Sequence, residues 1–310
     1  YINGQIELGI LAEFIIYVTM LTWPVATVGW VTSIVQQAEA SQKRINEFLK
    51  YPVTIEKKSL RKKEVSGKIE FKNVSFTYKE TNIEALKNVS FSIKPGESIA
   101  IMGDVGSGKS TILELISGVY KPTDGKIIVD NLDLNNYNIS DFRNSIGYVP
   151  QTTFLFSDTI ENNIKFGKHE ATYEELINSS KSSCLHNEIL SFDKEYKALL
   201  GERGVNLSGG QKQRLSIARA IIKKPKILLL DDSLSAVDTE TEEKIINNIN
   251  SITKNITVFV TTHRISTSKK CDKILMLKDG SIESIGSHKE LMKEKKSYFS
   301  IFNKQSKEIN

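Results

Sequence analysis

The sequence contains little cysteine and has no marked excess of charge of either sign. Its 310 residues include two cysteines, Cys184 and Cys271, which lie far apart and match no metal-binding spacing. This excludes a disulfide framework and favours reduced thiols in a cytosolic domain. The formal net charge of +5 is small, and the basic residues are spread along the chain. Nothing in the composition therefore indicates nucleic acid as a partner.

Long hydrophobic runs are also scarce, and the exception lies near the N-terminus. Residues 8–35 contain a single charged side chain, Glu13, and a run of this length can cross a bilayer with tilt. It has neither the basic leader nor the small-residue cleavage site of a signal peptide. A buried helix of a soluble protein is the alternative, but such a helix rarely lacks a polar face over this length. Lys43 and Arg44 follow the run, which places its C-terminal end in the cytoplasm.

A polar segment follows this apolar helix. The helical pattern reaches about Leu49, and Pro52 ends it, so residues 51–67 are predicted to form a linker. A group of basic residues in the linker is interpreted as solvated, with contact to an anionic membrane leaflet as the alternative. The group consists of Lys57, Lys58, Arg61, Lys62 and Lys63.

Glycine is concentrated in one short pattern. Residues 103–110 match G-x-x-x-x-G-K-S between an apolar run at 98–102 and a helical pattern at 111–116, which is the strand–loop–helix context of a phosphate-binding loop. Such a loop aims backbone N–H groups at phosphate oxygens. Lys109 would reach the terminal phosphates and Ser110 would offer a hydroxyl to Mg²⁺, whereas Asp104 is interpreted as solvated. The candidate nucleotide-binding residues are Gly103, Asp104, Val105, Gly106, Ser107, Gly108, Lys109, Ser110 and Thr111.

A second motif narrows the class of nucleotide-binding protein. Residues 207–211 are Leu-Ser-Gly-Gly-Gln, and the chain resembles the ATP-binding cassette (ABC) family, whose signature is LSGGQ, over nearly all of residues 68–300. In that family the signature of one cassette contacts ATP held by a second cassette. The resemblance therefore implies ATP binding by Ser208, Gly209, Gly210 and Gln211 across a dimer. A simple helix cap formed by Ser208 is the alternative.

The resemblance assigns roles to two adjacent carboxylates. Asp231 follows the apolar residues 228–230 as the Walker B carboxylate, which holds Mg²⁺, usually through its water shell. Asp232 stands where most family members have the glutamate that polarises the attacking water. Aspartate is one methylene shorter, and a displacement of about 1 Å can cost on the order of a hundredfold in rate. This departure resembles the degenerate site of heterodimeric exporters, so a heterodimer is favoured over a homodimer.

Three further residues take their roles from the same resemblance. His263 follows the apolar run 257–262 and would contact the γ-phosphate. Degenerate sites often lose this histidine, so its presence counts against a degenerate site. Gln151 matches the Q-loop, where an amide suits both Mg²⁺ and the attacking water. Tyr78 would stack on adenine, with a surface tyrosine as the alternative. The catalytic candidates are thus Asp232, His263 and Gln151, and the metal-binding candidates are Ser110, Gln151 and Asp231.

Two loops and the remaining histidines complete the assignment. Residues 235–238 resemble the D-loop, which crosses the cassette dimer, and residues 200–204 resemble the X-loop of exporters. Glu202 and Arg203 of the X-loop would pair with the membrane domain. His288 is interpreted as structural, and no role is assigned to His169 or His186.

The hydrophobic patterns and the resemblance together predict an α/β fold. The expected fold is the P-loop NTPase ABC cassette, with a parallel-sheet ATP-binding core, an antiparallel β subdomain and an α-helical signature subdomain, preceded by one transmembrane helix. Alternation at 68–78 predicts a half-exposed strand, and a second strand-like run covers 86–93. The continuous apolar runs 227–230 and 257–261 predict buried parallel strands, and 140–222 is mostly helical by pattern. The expected domains are 1–50 (end of a transmembrane domain), 51–67 (linker) and 68–305 (cassette).

The implied function is that of an ATP-binding and ATP-hydrolysing exporter subunit in the cell membrane, with a cytoplasmic cassette that uses ATP and Mg²⁺. One span is too few for a transport pathway, and the chain opens at Tyr1 without methionine. Because family exporters have six spans, we expect the C-terminal part of a longer half-transporter. The expected partners are a second half-transporter, the missing spans, membrane lipid and a transported small molecule, lipid or peptide. The alternatives are a soluble cassette ATPase and an ATP-gated regulatory subunit with little hydrolysis.

Overall fold

The computed structural model describes residues 8–50, 64–252 and 256–308. Internal contacts divide the chain into two units, residues 1–56 and 57–310. Most of the predicted linker, including Pro52 and the basic group, lies outside the described residues.

The first unit contains one continuous helix, α1 (Leu8–Leu49), which ends where the sequence predicted. Its 42 residues give a length of roughly 63 Å, about twice the hydrocarbon thickness of a bilayer. No side chain of α1 is buried, and part of the helix is apolar enough to cross a membrane. Four threonine hydroxyls donate to carbonyls one turn earlier and therefore need no outside partner; they are Thr19, Thr22, Thr27 and Thr32.

The second unit is built on two sheets. The smaller sheet is antiparallel with the order β2-β1-β4-β5, and its strands are β1 (Ile69–Tyr78), β2 (Ile83–Ile93), β4 (Asp124–Val129) and β5 (Leu132–Asp133). The larger sheet has the order β10-β9-β3-β8-β7-β6. Its neighbours are parallel except for β10 with β9, and its strands are β3 (Ser98–Gly103), β6 (Ile146–Val149), β7 (Ile227–Asp231), β8 (Thr257–Thr261), β9 (Lys273–Lys278) and β10 (Ser281–Gly286).

The described part of the second unit contains ten α-helices, which cover the larger sheet and form a helical region between β6 and β7. They are α2 (Lys109–Ile116), α3 (Ile139–Asn144), α4 (Ile160–Lys165), α5 (Tyr173–Ser182), α6 (His186–Leu190), α7 (Gly209–Ile221), α8 (Thr239–Ile252), α9 (Ile265–Ser268), α10 (His288–Glu294) and α11 (Ser297–Glu308).

The apolar core explains why the central strands lack alternation. Leu229 of β7 faces the core between the two sheets, whereas Leu228 and Leu230 face the core on the other side of the larger sheet. Because both faces are covered, a parallel strand is apolar at every position. A third core lies within the helical region and includes Leu176 of α5 and Leu215 of α7.

The structure confirms the predicted fold and corrects some boundaries. The strand-like stretch before Gln151 forms β6 within the mostly helical segment 140–222, whereas β4, β9 and β10 were not predicted as strands. The end of the predicted linker belongs to the cassette: Val65 is buried, and the Thr257 hydroxyl donates to the Gly67 carbonyl at 2.7 Å. These residues are fixed because their backbone groups bind strand β8 and Asp130.

Candidate nucleotide-binding site

The phosphate loop, Asp231, His263 and Gln151 meet at one edge of the larger sheet, whereas Tyr78 ends strand β1 of the smaller sheet and the signature residues begin helix α7. The registers pair Ile101 and Asp231 with Thr261, and Val149 with Leu230. Because β3, β6, β7 and β8 are parallel, their carboxyl ends share one edge. The phosphate loop, Asp231, His263 and Gln151 therefore follow four adjacent strands.

The loop between β3 and α2 needs glycine at specific points. Gly103 and Gly108 have φ values of +151° and +100°, and a Cβ atom would lie 2.3 Å from the Leu277 carbonyl oxygen at the first position and 2.6 Å from the Ala85 oxygen at the second. Val105, at 93% exposure, faces outward with Asp104 and Gly106, whereas Ser107 and Gly108 are buried. The Ser107 hydroxyl oxygen is buried and has no hydrogen-bond partner in the described part of the chain.

Lys109 holds a positive charge over this loop. Its Nζ donates to the carbonyl oxygens of Gly103 at 2.9 Å and Asp104 at 2.7 Å. Burial lowers the pKa of the Lys109 ammonium, while Asp232, Asp104 and Asp231 oppose that shift. Backbone N–H groups, a helix N-terminus and a lysine together suit the phosphates of a nucleotide.

Asp231 is buried at the end of β7 and is held by two hydroxyls. Its Oδ1 accepts from Ser110 Oγ at 3.0 Å and from Thr261 Oγ1 at 2.8 Å. Carboxylate and hydroxyl oxygens fit Mg²⁺, which binds through few protein ligands plus phosphates and water. The described residues contain no cluster of three or more His, Cys, Asp or Glu side chains that could hold a metal ion.

Asp232 follows in an unusual backbone conformation. Its φ is +43°, and its N–H donates to Thr261 Oγ1 at 2.7 Å. Thr261 therefore binds both acidic residues, although no sequence motif identifies it as a site residue.

Tyr78 lies beside the loop in an aromatic group. Its hydroxyl donates to Glu114 Oε2 at 2.9 Å and contacts Thr111 Oγ1 at 3.0 Å, and burial raises its pKa to about 12. Its ring meets Phe76 and Tyr120 edge to face, with centroids 4.8 and 5.4 Å apart. Tyr120, which is partly exposed, is a second aromatic at this place that the sequence analysis missed.

The signature residues begin helix α7. Ser208 Oγ accepts from the Gln211 N–H at 3.2 Å, and Gln211 Oε1 accepts from the Ser208 N–H at 2.9 Å. This confirms the cap geometry that the sequence analysis kept as an alternative. Ser208 and Gly209 are exposed, so the start of the helix is open to a ligand.

The chain is similar to known ABC transporters. Residues 86–235 match the family model of ABC transporters. The chain is 43% identical over 303 residues to the ABC transporter ATP-binding protein YfiB of Bacillus subtilis, covering 98% of this chain and 52% of that protein. It is 41% identical over 298 residues to the multidrug resistance-like ATP-binding protein MdlA of Buchnera aphidicola, covering 96% of this chain and 52% of that protein.

The chain also superposes on a solved structure, that of a bacterial Atm1-family ABC exporter with ATP bound. The TM-score is 0.83 at 32% sequence identity, and the match covers 98% of this chain and 54% of that one. The chain belongs to the ABC transporter family. It spans about half the length of these relatives. The nucleotide that this family's cassette binds and hydrolyses is ATP.

In this ABC cassette, the D-loop is held from two sides. Gln213 of α7, which is buried, accepts from the Ala236 N–H at 3.0 Å and donates to Ser235 Oγ at 3.2 Å. Arg264, next to His263, donates to the carbonyl oxygens of Ser235 and Val237, both at 2.8 Å. The D-loop is thus connected to the signature helix and to the His263 segment.

His263 and Gln151 are exposed at the sheet edge. His263 lines a cavity of about 250 Å³ together with Gly103 and Asp104 of the phosphate loop and Gln305 of α11. No local sequence pattern identifies Gln213, Arg264 or Gln305 as part of the site, because each of them binds backbone atoms that are distant in sequence.

Proposed function

We propose that this chain is the ATP-binding and ATP-hydrolysing part of an exporter. The observation that supports it is the meeting of Lys109, Asp231, Asp232 and His263 at one sheet edge, in a chain whose N-terminal helix can cross a membrane. The transported molecule would be a small molecule, lipid or peptide. The multidrug resistance-like name of the MdlA relative agrees with a small molecule.

The residues divide the chemistry among them. The phosphate loop and Lys109 would bind the phosphates, and Ser110 and Asp231 would hold Mg²⁺, which neutralises phosphate charge when bound. Asp232 would orient the attacking water, with Gln151 and His263 at its two sides. Ser208, Gly209, Gly210 and Gln211 would contact ATP held by the partner cassette.

We also propose a membrane location, with the cassette in the cytoplasm. The apolar, unburied surface of α1 and its internally bonded threonines support this location. A soluble cassette ATPase would need a partner surface for that helix. A simple fractionation separates the two, because a membrane protein sediments with membranes and resists extraction by salt and alkali.

A heterodimer is favoured because Asp232 replaces the usual glutamate. A partner with a standard Walker B would supply the faster site, and the intact signature of this chain would complete it. An ATP-gated regulatory subunit is the second candidate, and it too is supported by Asp232.

ATP turnover of the full-length protein expressed alone tests these proposals. If wild type is nearly inactive and Asp232→Glu raises turnover at least about tenfold, the longer side chain restores the position of the water, and a partner should be sought. If wild type already turns over well, a homodimer is the better account. ATP binding without turnover in both proteins would support the regulatory subunit. Lys109→Ala is the control, and an ATP affinity and an ATP turnover that are both unchanged in this variant would contradict the nucleotide site.

A further inference from the structure

The last helix of the chain reaches the loop that carries His263. Gln305 of α11 donates from Nε2 to the His263 carbonyl oxygen at 2.7 Å. Its Oε1 accepts from the Ile265 N–H at 2.9 Å. A single amide therefore binds the backbone on both sides of Arg264.

These two bonds have a local reason. Helix α9 begins at Ile265, and its N-cap residue Arg264 makes no side-chain cap bond. The first N–H groups of a helix lack partners within the helix, so an outside acceptor stabilises its start. Gln305, 40 residues further along the chain, supplies that acceptor.

Helix α11 packs against the rest of the cassette through two aromatic side chains. Tyr298 is fully buried and its hydroxyl lies 2.7 Å from His288 Nδ1, and Lys269 Nζ lies 4.3 Å from the centroid of the Phe302 ring. The helix that carries the Gln305 amide is thus held in place by its own packing contacts. Arg264, which lies between the two residues whose backbone Gln305 binds, donates to the carbonyl oxygens of Ser235 and Val237. The segment that Gln305 binds is therefore also in contact with the D-loop.

We propose that Gln305 is a positioning residue for ATP hydrolysis, which acts by fixing the backbone of residues 263–265 and so the place of the His263 side chain. This inference rests on the proposed function, in which His263 contacts the γ-phosphate. Gln305 itself contacts the backbone of the His263 loop, so its effect falls on the rate of the chemical step more than on ATP binding.

The test is ATP turnover of the full-length protein carrying Gln305→Met, in the wild-type and Asp232→Glu backgrounds. Methionine keeps the length of the side chain and removes the amide. We expect kcat to fall about tenfold, because a small displacement of a catalytic group slows the chemical step. The KM for ATP should stay within about twofold, and the midpoint of thermal unfolding should fall by about 2–4 °C at most.

Asn303→Ala is the matched control, because Asn303 is an exposed amide on the same helix, and this change should leave kcat unchanged. Turnover that is insensitive to Gln305→Met, or that falls equally in Asn303→Ala, contradicts the inference alone. A fall in kcat accompanied by a proportional rise in KM also contradicts it, since such a change places the effect on ATP binding as well as on the chemical step. Absence of turnover in both backgrounds contradicts ATP hydrolysis by this chain, and the inference fails with it.

Discussion

At the scale of single residues, Asp232 combines a chemical and a conformational constraint. Its φ of +43° lies in the left-handed region, which aspartate adopts more readily than most residues. The backbone preference therefore favours aspartate here, although a glutamate would reach further into the site. A gain of turnover in Asp232→Glu would show that reach matters more than backbone preference.

Thr261 is the residue whose loss should affect both carboxylates. Thr261→Val keeps the shape but removes a donor to Asp231 Oδ1 and an acceptor for the Asp232 N–H. We expect the free energy of unfolding to fall by about 1–3 kcal/mol, as for other buried groups that lose a partner, and kcat to fall as well. Denaturant unfolding and ATP turnover measure the two effects.

Strand β8 provides the control for this change. Thr257, at the other end of the strand, donates to the Gly67 carbonyl oxygen and accepts from the Gly96 N–H. Thr257→Val should therefore reduce stability by a similar amount and leave kcat unchanged. Equal losses of kcat in the two variants would show that Thr261 has no specific role in the site.

At the scale of elements, the D-loop lies between the signature helix α7 and the sheet edge that carries Asp231 and His263. A Cβ atom on Gly210 would lie 2.9 Å from the Ala236 carbonyl oxygen, so α7 and the D-loop are in close contact. Gln213 therefore connects α7 to Ser235 and Ala236, which lie shortly after Asp232 in the chain.

Gln213→Met should weaken this connection. The change keeps the side-chain volume but removes the bonds to Ala236 and Ser235, so we expect kcat to fall about tenfold while the KM for ATP changes little. Steady-state turnover of the full-length protein measures both constants. Thr257→Val again serves as the stability control, and a kcat as high as that of the control would count against the connection.

The contact between α10 and α11 should depend on pH. Burial, with Lys269 nearby, lowers the pKa of the His288 imidazole, whose Nδ1 lies 2.7 Å from the Tyr298 hydroxyl. The unfolded chain then binds a proton at higher pH than the folded one, so this contribution to stability is present above the unfolded pKa of about 6.5 and is lost as pH falls through the lower folded pKa.

Thermal unfolding of the full-length protein between pH 8 and pH 5 measures this effect. We expect the unfolding midpoint of wild type to fall more steeply below about pH 6.5 than that of His288→Gln. His186, whose pKa is also lowered by burial, leaves part of the dependence in place. His169→Gln, a change at an exposed histidine, should keep the wild-type slope; a common slope for all three proteins would refute the role of His288.

At the scale of the whole molecule, the sequence predicted the elements with strong local patterns. The apolar runs of β7 and β8 and the motifs around Lys109 and Ser208 are contiguous, so their positions could be predicted. Strand β4 was missed because the stretch Asp-Gly-Lys-Ile-Ile-Val begins with three residues that are rare in strands. Strand β9 was missed although it is as apolar as β8, since a short apolar run does not distinguish a strand from a buried helix.

The contacts that complete the site could not be predicted from local patterns. Gln213, Thr261 and Gln305 each bind backbone or side-chain atoms of segments distant in sequence, and amide and hydroxyl residues occur throughout the chain. Only the folded arrangement selects which of them face the D-loop, Asp231 and the His263 loop.

The sheet order also has a consequence for the folding of this protein during its synthesis. Strand β3, which leads into the phosphate loop, lies between β8 and β9, and its first residue binds Asp272, 174 residues later. At a synthesis rate of about 5–20 residues per second, both neighbouring strands, β8 and β9, have been synthesised only roughly 9–35 s after β3. During that time its two edges and its apolar faces are open to other chains. In a chain that stops before Lys278, the edges and faces of β3 would stay exposed. Chaperones and proteases can therefore recognise an incomplete cassette long before the ATP site has formed.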